Sequence, residues 1–396
     1  MEATLILLKS TLILIQQLGV HLHPANLWTL CAMIALLLTG TPLHLYSLAR
    51  TLPGHGKLES RAQKLRRWLR HPTISPALFV ESWIGLLAPF LEQVGHITLI
   101  IDRTDWTKRG MHLNIFFCSL AFFGRSFPVY WILLPHAGCS TLADQQTLLD
   151  PVLAAILAHP RLASLPRDVA ADREFGSPLL ADWLREHWQC GFSLRVKCSI
   201  RVSREDIPST PLRTFFAHME RGQYYFFRDI LVTDTHRYRA NLFLYWRKDC
   251  DEPLAVMTDA AEADAVSDTY RERPFIETLH RDIKSGGYDI EGSRVTELPR
   301  VSNLLIPAAF AYILTLIQGR LEELRDPCPP LTARHLSLFS QGRDRFTDLI
   351  QRHPFPTLYQ FMRRFVQFLL TILQRPPTED CTRSFTLFAQ QQLLVL

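Results

Sequence analysis

Tyr270, Arg273, Glu277 and Lys284 share one short segment, "DTYRERPFIETLHRDIK" (Asp268 to Lys284), in an otherwise apolar chain. These residue types suit phosphate chemistry. A carboxylate can hold a divalent metal, a guanidinium and an ammonium can neutralise phosphates, and a phenol can stack or donate one hydrogen bond. On a helical wheel the four fall at roughly 0°, 300°, 340° and 320°, a stripe about 60° wide, while Phe275, Ile276, Leu279 and Ile283 fall between roughly 140° and 240°. The segment therefore predicts a helix with a charged face and a buried one. A merely solvated face would satisfy the same pattern.

Two further acids have placements suited to chemistry. Asp102 closes the β-branched run "HITLIID" and Asp172 closes "DVAAD". A strand end holds a side chain rigidly while the adjoining loop leaves it accessible, although an inert turn would also put an Asp there. Asp105, outside the run, is the weaker candidate. Brought together, Asp102, Asp172 and Glu277 would repel one another, raising the pKa of at least one, unless divalent cations lay between them. Two Mg²⁺ ions about 3.5–4 Å apart, with Mn²⁺ as the alternative, are the expected occupants of such an oxygen-only set.

The elements that must position these residues read as α/β. Residues 1–90 are helical, broken at "LPGHG" and stopped at "HPTISP". From His96, "HITLIID", "MHLNIFFCSLAFF" and "FPVYWILLP" predict a three-stranded meander with a tight connection at Gly124 to Ser126. A helix, the strand ending at Asp172 and the helix "PLLADWLREHW" complete a βββαβα order. Alternating residues over about 192–258 predict a β-rich insertion before the striped helix. Residues 291–396 read as a helical region with a loose tail from Arg375, "RPPTEDCTRS".

Composition permits a polyanionic partner without demanding one: 396 residues, net charge +5 and pI near 8.8. The most basic window, Lys57 to Arg70, carries Lys57, Arg61, Lys64, Arg66, Arg67 and Arg70 against Glu59 alone, enough to attract a polyanion by counterion release. Eight cysteines without a CxxC pair argue against zinc and fit a reduced, cytoplasmic protein. The start lacks the basic n-region of a signal peptide. No membrane association is expected. The uncharged stretches Thr11 to Ala49 and Val301 to Gly319 are interrupted, the second by Pro307, below the ~20 apolar residues that a bilayer requires.

The spacing Tyr270, Arg273, Glu277, Lys284, together with "IIDRTDW" and "ADREF", resembles the Y-R-E-K subgroup of bacterial insertion-sequence transposases with a DDE active site. The resemblance spans about residues 97–290. It implies a ribonuclease H-like catalytic core over 91–290 with a β-rich insertion, flanked by a transposon-end-binding domain over 1–90 and a helical C-terminal region. It implies that Asp102, Asp172 and Glu277 bind the metals, and that Tyr270, Arg273 and Lys284 handle DNA beside the scissile phosphate. The activity implied is cut-and-paste transposition: hydrolysis at transposon ends, hairpin formation, then strand transfer into target DNA. The implied partners are double-stranded inverted-repeat ends, target DNA and a second copy of the chain, at the bacterial nucleoid. Trp246 is a candidate for receiving a flipped base, with a core role as the alternative. Pro274 departs from the family, which often has tryptophan there, and predicts a kink. A catalytically idle DNA-binding regulator and a simple nuclease of the same fold are the alternatives.

Overall fold

The computed structural model describes residues 2–108, 111–326, 337–375 and 386–390. The segment 376–385, most of the expected loose tail, lies outside them. The chain opens with α1 (Glu2–Gln17), α2 (Pro24–Leu38), α3 (Leu45–Thr51) and α4 (Leu58–Leu69). Helix α2 begins on Pro24, whose fixed φ suits a first helical turn, and it is buried from Thr29 through Leu38. Next comes α5 (Val80–Val94), stopped by Gly95 in the left-handed conformation at φ 75°.

The antiparallel meander follows as β1 (Ile97–Lys108), β2 (Met111–Phe122) and β3 (Arg125–Leu134). Phe123 and Gly124, at φ 53° and 68°, make the tight turn between β2 and β3. Helix α6 (Leu142–Ala158) starts from a reciprocal Thr141–Asp144 capping box. It returns the chain to β4 (Arg167–Ala171), parallel to β1, and α7 (Pro178–Trp188) leads on to β5 (Gly191–Arg195), parallel to β4.

The β-rich stretch continues this sheet. It comprises β6 (Arg201–Arg204), β7 (Ile207–Pro211), the short α8 (Arg213–Phe216), β8 (Tyr224–Val232), β9 (Tyr238–Tyr245) and β10 (Leu254–Thr258). Strand β10 pairs antiparallel with β5, giving one ten-stranded, mostly antiparallel sheet in the order β3-β2-β1-β4-β5-β10-β9-β8-β6-β7. The remaining helices are α9 (Ala263–Tyr270), α10 (Phe275–Arg281), α11 (Leu298–Arg325), α12 (Leu338–Gln351) and α13 (Phe355–Gln374).

Two expectations are corrected. The stripe does not ride on one helix: α9 ends at Tyr270, α10 starts at Phe275, and Asp282–Gly286 is a π-helical turn. Pro274 explains the break, since it lacks an N–H and disfavours helical backbone at Arg273. Nor does Pro307 interrupt its segment, because α11 runs through it for 28 residues. Packing from α2, α12 and β3 surrounds α11 and overrides the local preference. Pro76–Val94 and Leu298–Arg325 are each long and apolar enough to cross a membrane, yet α11 lies almost wholly inside the protein.

One apolar cluster joins all these layers, from Leu7 and Ile34 through Phe116 to Phe365. At its centre Trp83 of α5 lies 5.2 Å, between ring centroids, from both Trp131 of β3 and Phe310 of α11. Each such ring contributes on the order of 2–3 kcal/mol by burial. This knot stiffens the back of the meander, and α10 packs on β3 and β1.

Candidate active site

The parallel ladder between β1 and β4 pairs Ile101 with Ala171 and then stops. Asp102 and Asp172 are the next residue on each chain, so both carboxylates stand at one level where the two strands part. Asp102 is not a strand terminus, as the sequence suggested. Strand β1 runs on to Lys108 because "RTDWTK" pairs with β2, down to Lys108 opposite Met111. Asp105 lies farther along β1, where it faces His112 at 3.5 Å.

Two carboxylates on adjacent strands need a counter-charge, and the α9–α10 turn supplies Arg273. Its Nη2 lies 3.1 Å from Asp102 Oδ2 and 3.3 Å from Asp172 Oδ2, while its Nη1 donates to Glu277 Oε1 at 2.7 Å. The three acids therefore converge on one guanidinium, with Glu277 reaching it from the outside. Side-chain exposure is 12% for Arg273 and 15% for Asp102, against 62% for Glu277. Burial pushes the Asp102 carboxyl up to about 6 despite the pull of Arg273. Burial also works upward on Asp172, but Arg273, the Arg173 backbone N–H and Arg195 outweigh it and hold this carboxyl below its usual range. The two strand acids are thus electrostatically unlike, which is how a site separates the roles of similar groups. His280, one turn beyond Glu277, faces Asp102 at 3.9 Å, and burial pushes its imidazole down to about 3.

Sequence reasoning missed the residues that brace this pair. Arg103, directly after Asp102, makes a two-pronged ion pair with Glu174, two residues after Asp172, at 2.8 and 2.9 Å. This clasp locks the two acid-bearing segments at one level. Arg103 also donates to Asn114 at 3.0 Å, and Phe175 stacks on Phe116 at 5.1 Å. Arg195, at the end of β5, donates to Asp172 at 3.2 Å. The only signal was adjacency: an arginine follows each aspartate, and a glutamate follows the second arginine.

The other sequence-picked residues make no ion pair with these acids. Tyr270 is partly buried against Phe243, Val256 and Val266, and burial raises its phenol. Lys284 reaches the Asp105 carbonyl at 3.3 Å and Glu291 at 3.4 Å, over the Trp106 ring. The break at Pro274 and the π turn therefore split the expected stripe: Arg273 and Glu277 make the ion pairs of the acid cluster, Tyr270 stays within electrostatic reach of Asp172, Arg273 and Asp102, and Lys284 bonds elsewhere. On α4, Lys64 sits 3.8 Å over Trp28, Arg66 pairs with Glu59 at 2.6 Å, and Arg67 and Arg70 are exposed. Trp246 packs on the core, its indole N–H bonded to the Cys250 carbonyl at 3.1 Å.

The three carboxylates fit a hard divalent cation in kind, with the His280 imidazole 3.9 Å from Asp102 as their nitrogen neighbour. A positive charge already draws them together. Among the described residues, no three His, Cys, Asp or Glu side chains stand close enough to hold a metal as they are. Arg273 occupies the space between them, so loading an ion requires its guanidinium to withdraw.

No protein-family model matches the chain, and no curated protein matches it. Among solved structures it is similar to a piggyBac transposase synaptic complex with hairpin DNA, with 12% sequence identity and a TM-score of 0.39, covering 100% of this chain and 83% of that one.

Proposed function

We propose that this protein is a cut-and-paste DNA transposase of the DDE type, with Asp102, Asp172 and Glu277 as its catalytic acids. One observation carries the reading: acids from three separate elements, β1, the end of β4 and α10, converge on a single cationic point. The order β3-β2-β1-β4-β5, a meander extended by two parallel strands, supports a ribonuclease H-like core for it. The Y-R-E-K spacing supports the transposase family within that fold.

Asp102, Asp172 and Glu277 would hold Mg²⁺ or Mn²⁺, which when bound supplies the charge that activates a water or 3′-hydroxyl and steadies the leaving oxygen. The chain's own contribution is positional. The sheet and the Arg103–Glu174 clasp fix the two aspartates, while the exposed Glu277 is free to turn inward. Arg273, once displaced from the acids, would meet DNA phosphates beside Lys284 at the rim. Basic residues of α4 would hold the transposon end, and a second copy of the chain would bring the second end.

The test is a duplex of the DNA flanking the coding sequence, incubated with Mg²⁺ and resolved on a denaturing gel. A nick followed by a hairpin is expected from the wild type and neither from Asp172→Ala. Persistent nicking by that variant overturns the assignment of Asp172, and cleavage that never yields a hairpin selects a simple nuclease. The Arg273 bridges favour one second reading, a catalytically idle regulator whose acids stay neutralised. A wild type that binds the duplex yet never nicks it with Mg²⁺ or Mn²⁺ would establish that reading.

A further inference from the structure

A cleft of about 430 Å³ opens between the N-terminal helices and the stretch leading into α11. His44, Tyr46 and Ser47 line it at the start of α3, with Arg66 from α4, Arg294 from the connecting loop and Arg300 from the first turn of α11. Three guanidiniums from three elements thus border one small space, outside the acid cluster.

Their partners leave this space with positive charge to spare. Arg66 is held in place by Glu59 at 2.6 Å and by the Tyr46 hydroxyl, which accepts from its Nη2 at 2.8 Å. Arg300 pairs with Glu297 at 2.6 Å, and Arg70 approaches the same carboxylate at 3.8 Å. Asp289 is engaged by His44 at 2.8 Å. Arg294 is exposed and has no acidic partner among the described residues. Four guanidiniums (Arg66, Arg70, Arg294, Arg300) therefore face three carboxylates (Glu59, Glu297, Asp289), a surplus of one positive charge before His44 is counted. The buried Nε of Arg300 has no hydrogen-bond acceptor.

We propose that this cleft binds a phosphodiester of the DNA backbone, gripped by Arg294 and Arg300 and oriented by Arg66. The proposal rests on the transposase reading above and adds an anchoring point that joins the basic helix to the start of α11. Arginine suits the task because its planar fork matches two phosphate oxygens. Size fits as well: the cleft takes a phosphate with its sugar, whereas a whole duplex, whose major groove alone is about 12 Å wide, must lie across its mouth.

The experiment is fluorescence anisotropy of the full chain with a labelled duplex of the flanking DNA across a salt series. A parallel arm follows Tm with inorganic phosphate. Arg294→Ala removes an exposed side chain, so folding is retained, and it should lower the slope of log affinity against log salt by about one unit. Arg294→Ala with Arg300→Gln should lower it by about two, checked against an unchanged Tm. Arg294→Lys keeps most of the slope, and Arg352→Ala, just beyond the end of α12, controls for loss of one exposed charge. Unaltered slopes in both Arg294→Ala and the double variant, with wild-type binding intact, overturn the cleft proposal and leave the transposase reading standing. A wild type that binds no duplex overturns both. Phosphate that raises the Tm of the wild type but not of Arg294→Ala, alongside unaltered DNA slopes, also overturns it, in favour of a small free anion.

Discussion

The acid cluster and the basic helix α4 use the same kind of contact, an arginine near 3 Å from a carboxylate, in opposite surroundings. Around Arg273, side-chain exposure is 15% at Asp102 and 29% at Asp172, whereas on α4 Glu59 is 66% exposed. Burial removes the water that would screen the charges. Deleting one member of the buried set strands an uncompensated charge, which costs about 3–5 kcal/mol. The pair on α4 stays hydrated and salt-screened, so it contributes little to folding. One region uses charge to hold three elements of the fold together, and the other leaves its charge hydrated at the surface.

Arg273→Ala breaks this comparison most strongly. Two carboxylates would be left facing each other across β1 and β4, and urea unfolding at neutral pH should report a loss of about 3–5 kcal/mol. Mg²⁺ should then raise the Tm of the variant more than that of the wild type, because the space between the acids is open to an ion. Equal Mg²⁺ shifts in the two proteins would show that Arg273 does not compete for that space.

Asp102→Asn sharpens the same side through pH. The folded carboxyl is raised from 3.8 to about 6, so the native state binds the proton more tightly than the unfolded chain. Its contribution is therefore favourable at low pH and is lost as pH rises from about 4 to about 6, on the order of 2–3 kcal/mol in all. Asp172, held below its usual range, acts in the opposite sense and loses stabilisation as pH falls. Unfolding curves across this window should show a downward slope with rising pH that Asp102→Asn removes. A slope that survives the substitution would assign the titration elsewhere.

Arg103→Lys is expected next in size. The charge stays, but the two-pronged contact with Glu174 becomes a single one, at a cost of about 1–2 kcal/mol. Since the clasp aligns the acid-bearing segments, cleavage should fall more than DNA binding does. A proportional fall in both would make the clasp merely structural.

How much of this was legible in the sequence follows from the range of the forces involved. The meander was readable because alternation and the turn at Gly124 are local. The extension of β1 through "RTDWTK" was not, since it depends on β2 as a partner more than on its own residues. The helical wheel assumed an unbroken helix. Pro274 and the π turn at Asp282–Gly286 removed that assumption and turned Arg273 toward the acids, away from the rim. The continuity of α11 through Pro307 is a packing effect, invisible without its neighbours. The link between Arg103 and Glu174 joins residues 71 apart, and no periodicity encodes it.

The smallest expected effect separates two neighbours on α4. Arg66 is already committed to Glu59 and Tyr46, and these contacts hold its guanidinium against the cleft wall. Arg67, next in sequence, is exposed on another side of the helix, about 100° away. Neither substitution should change Tm by much, because Arg67 is exposed and the Glu59 that Arg66 pairs with is hydrated. Their effects on DNA should differ in kind. Arg67→Ala removes one mobile cation and should weaken duplex binding slightly at low salt, with little effect near physiological ionic strength, where charges beyond about 8 Å are screened. Arg66→Ala removes a pre-oriented cation and leaves Glu59 with only the Tyr46 hydroxyl as a partner, so the local balance shifts toward negative charge. Its loss of affinity should persist as salt is raised. Identical salt dependence for the two variants would mean that α4 acts as a diffuse basic surface and that the cleft beside Arg66 has no part in holding DNA.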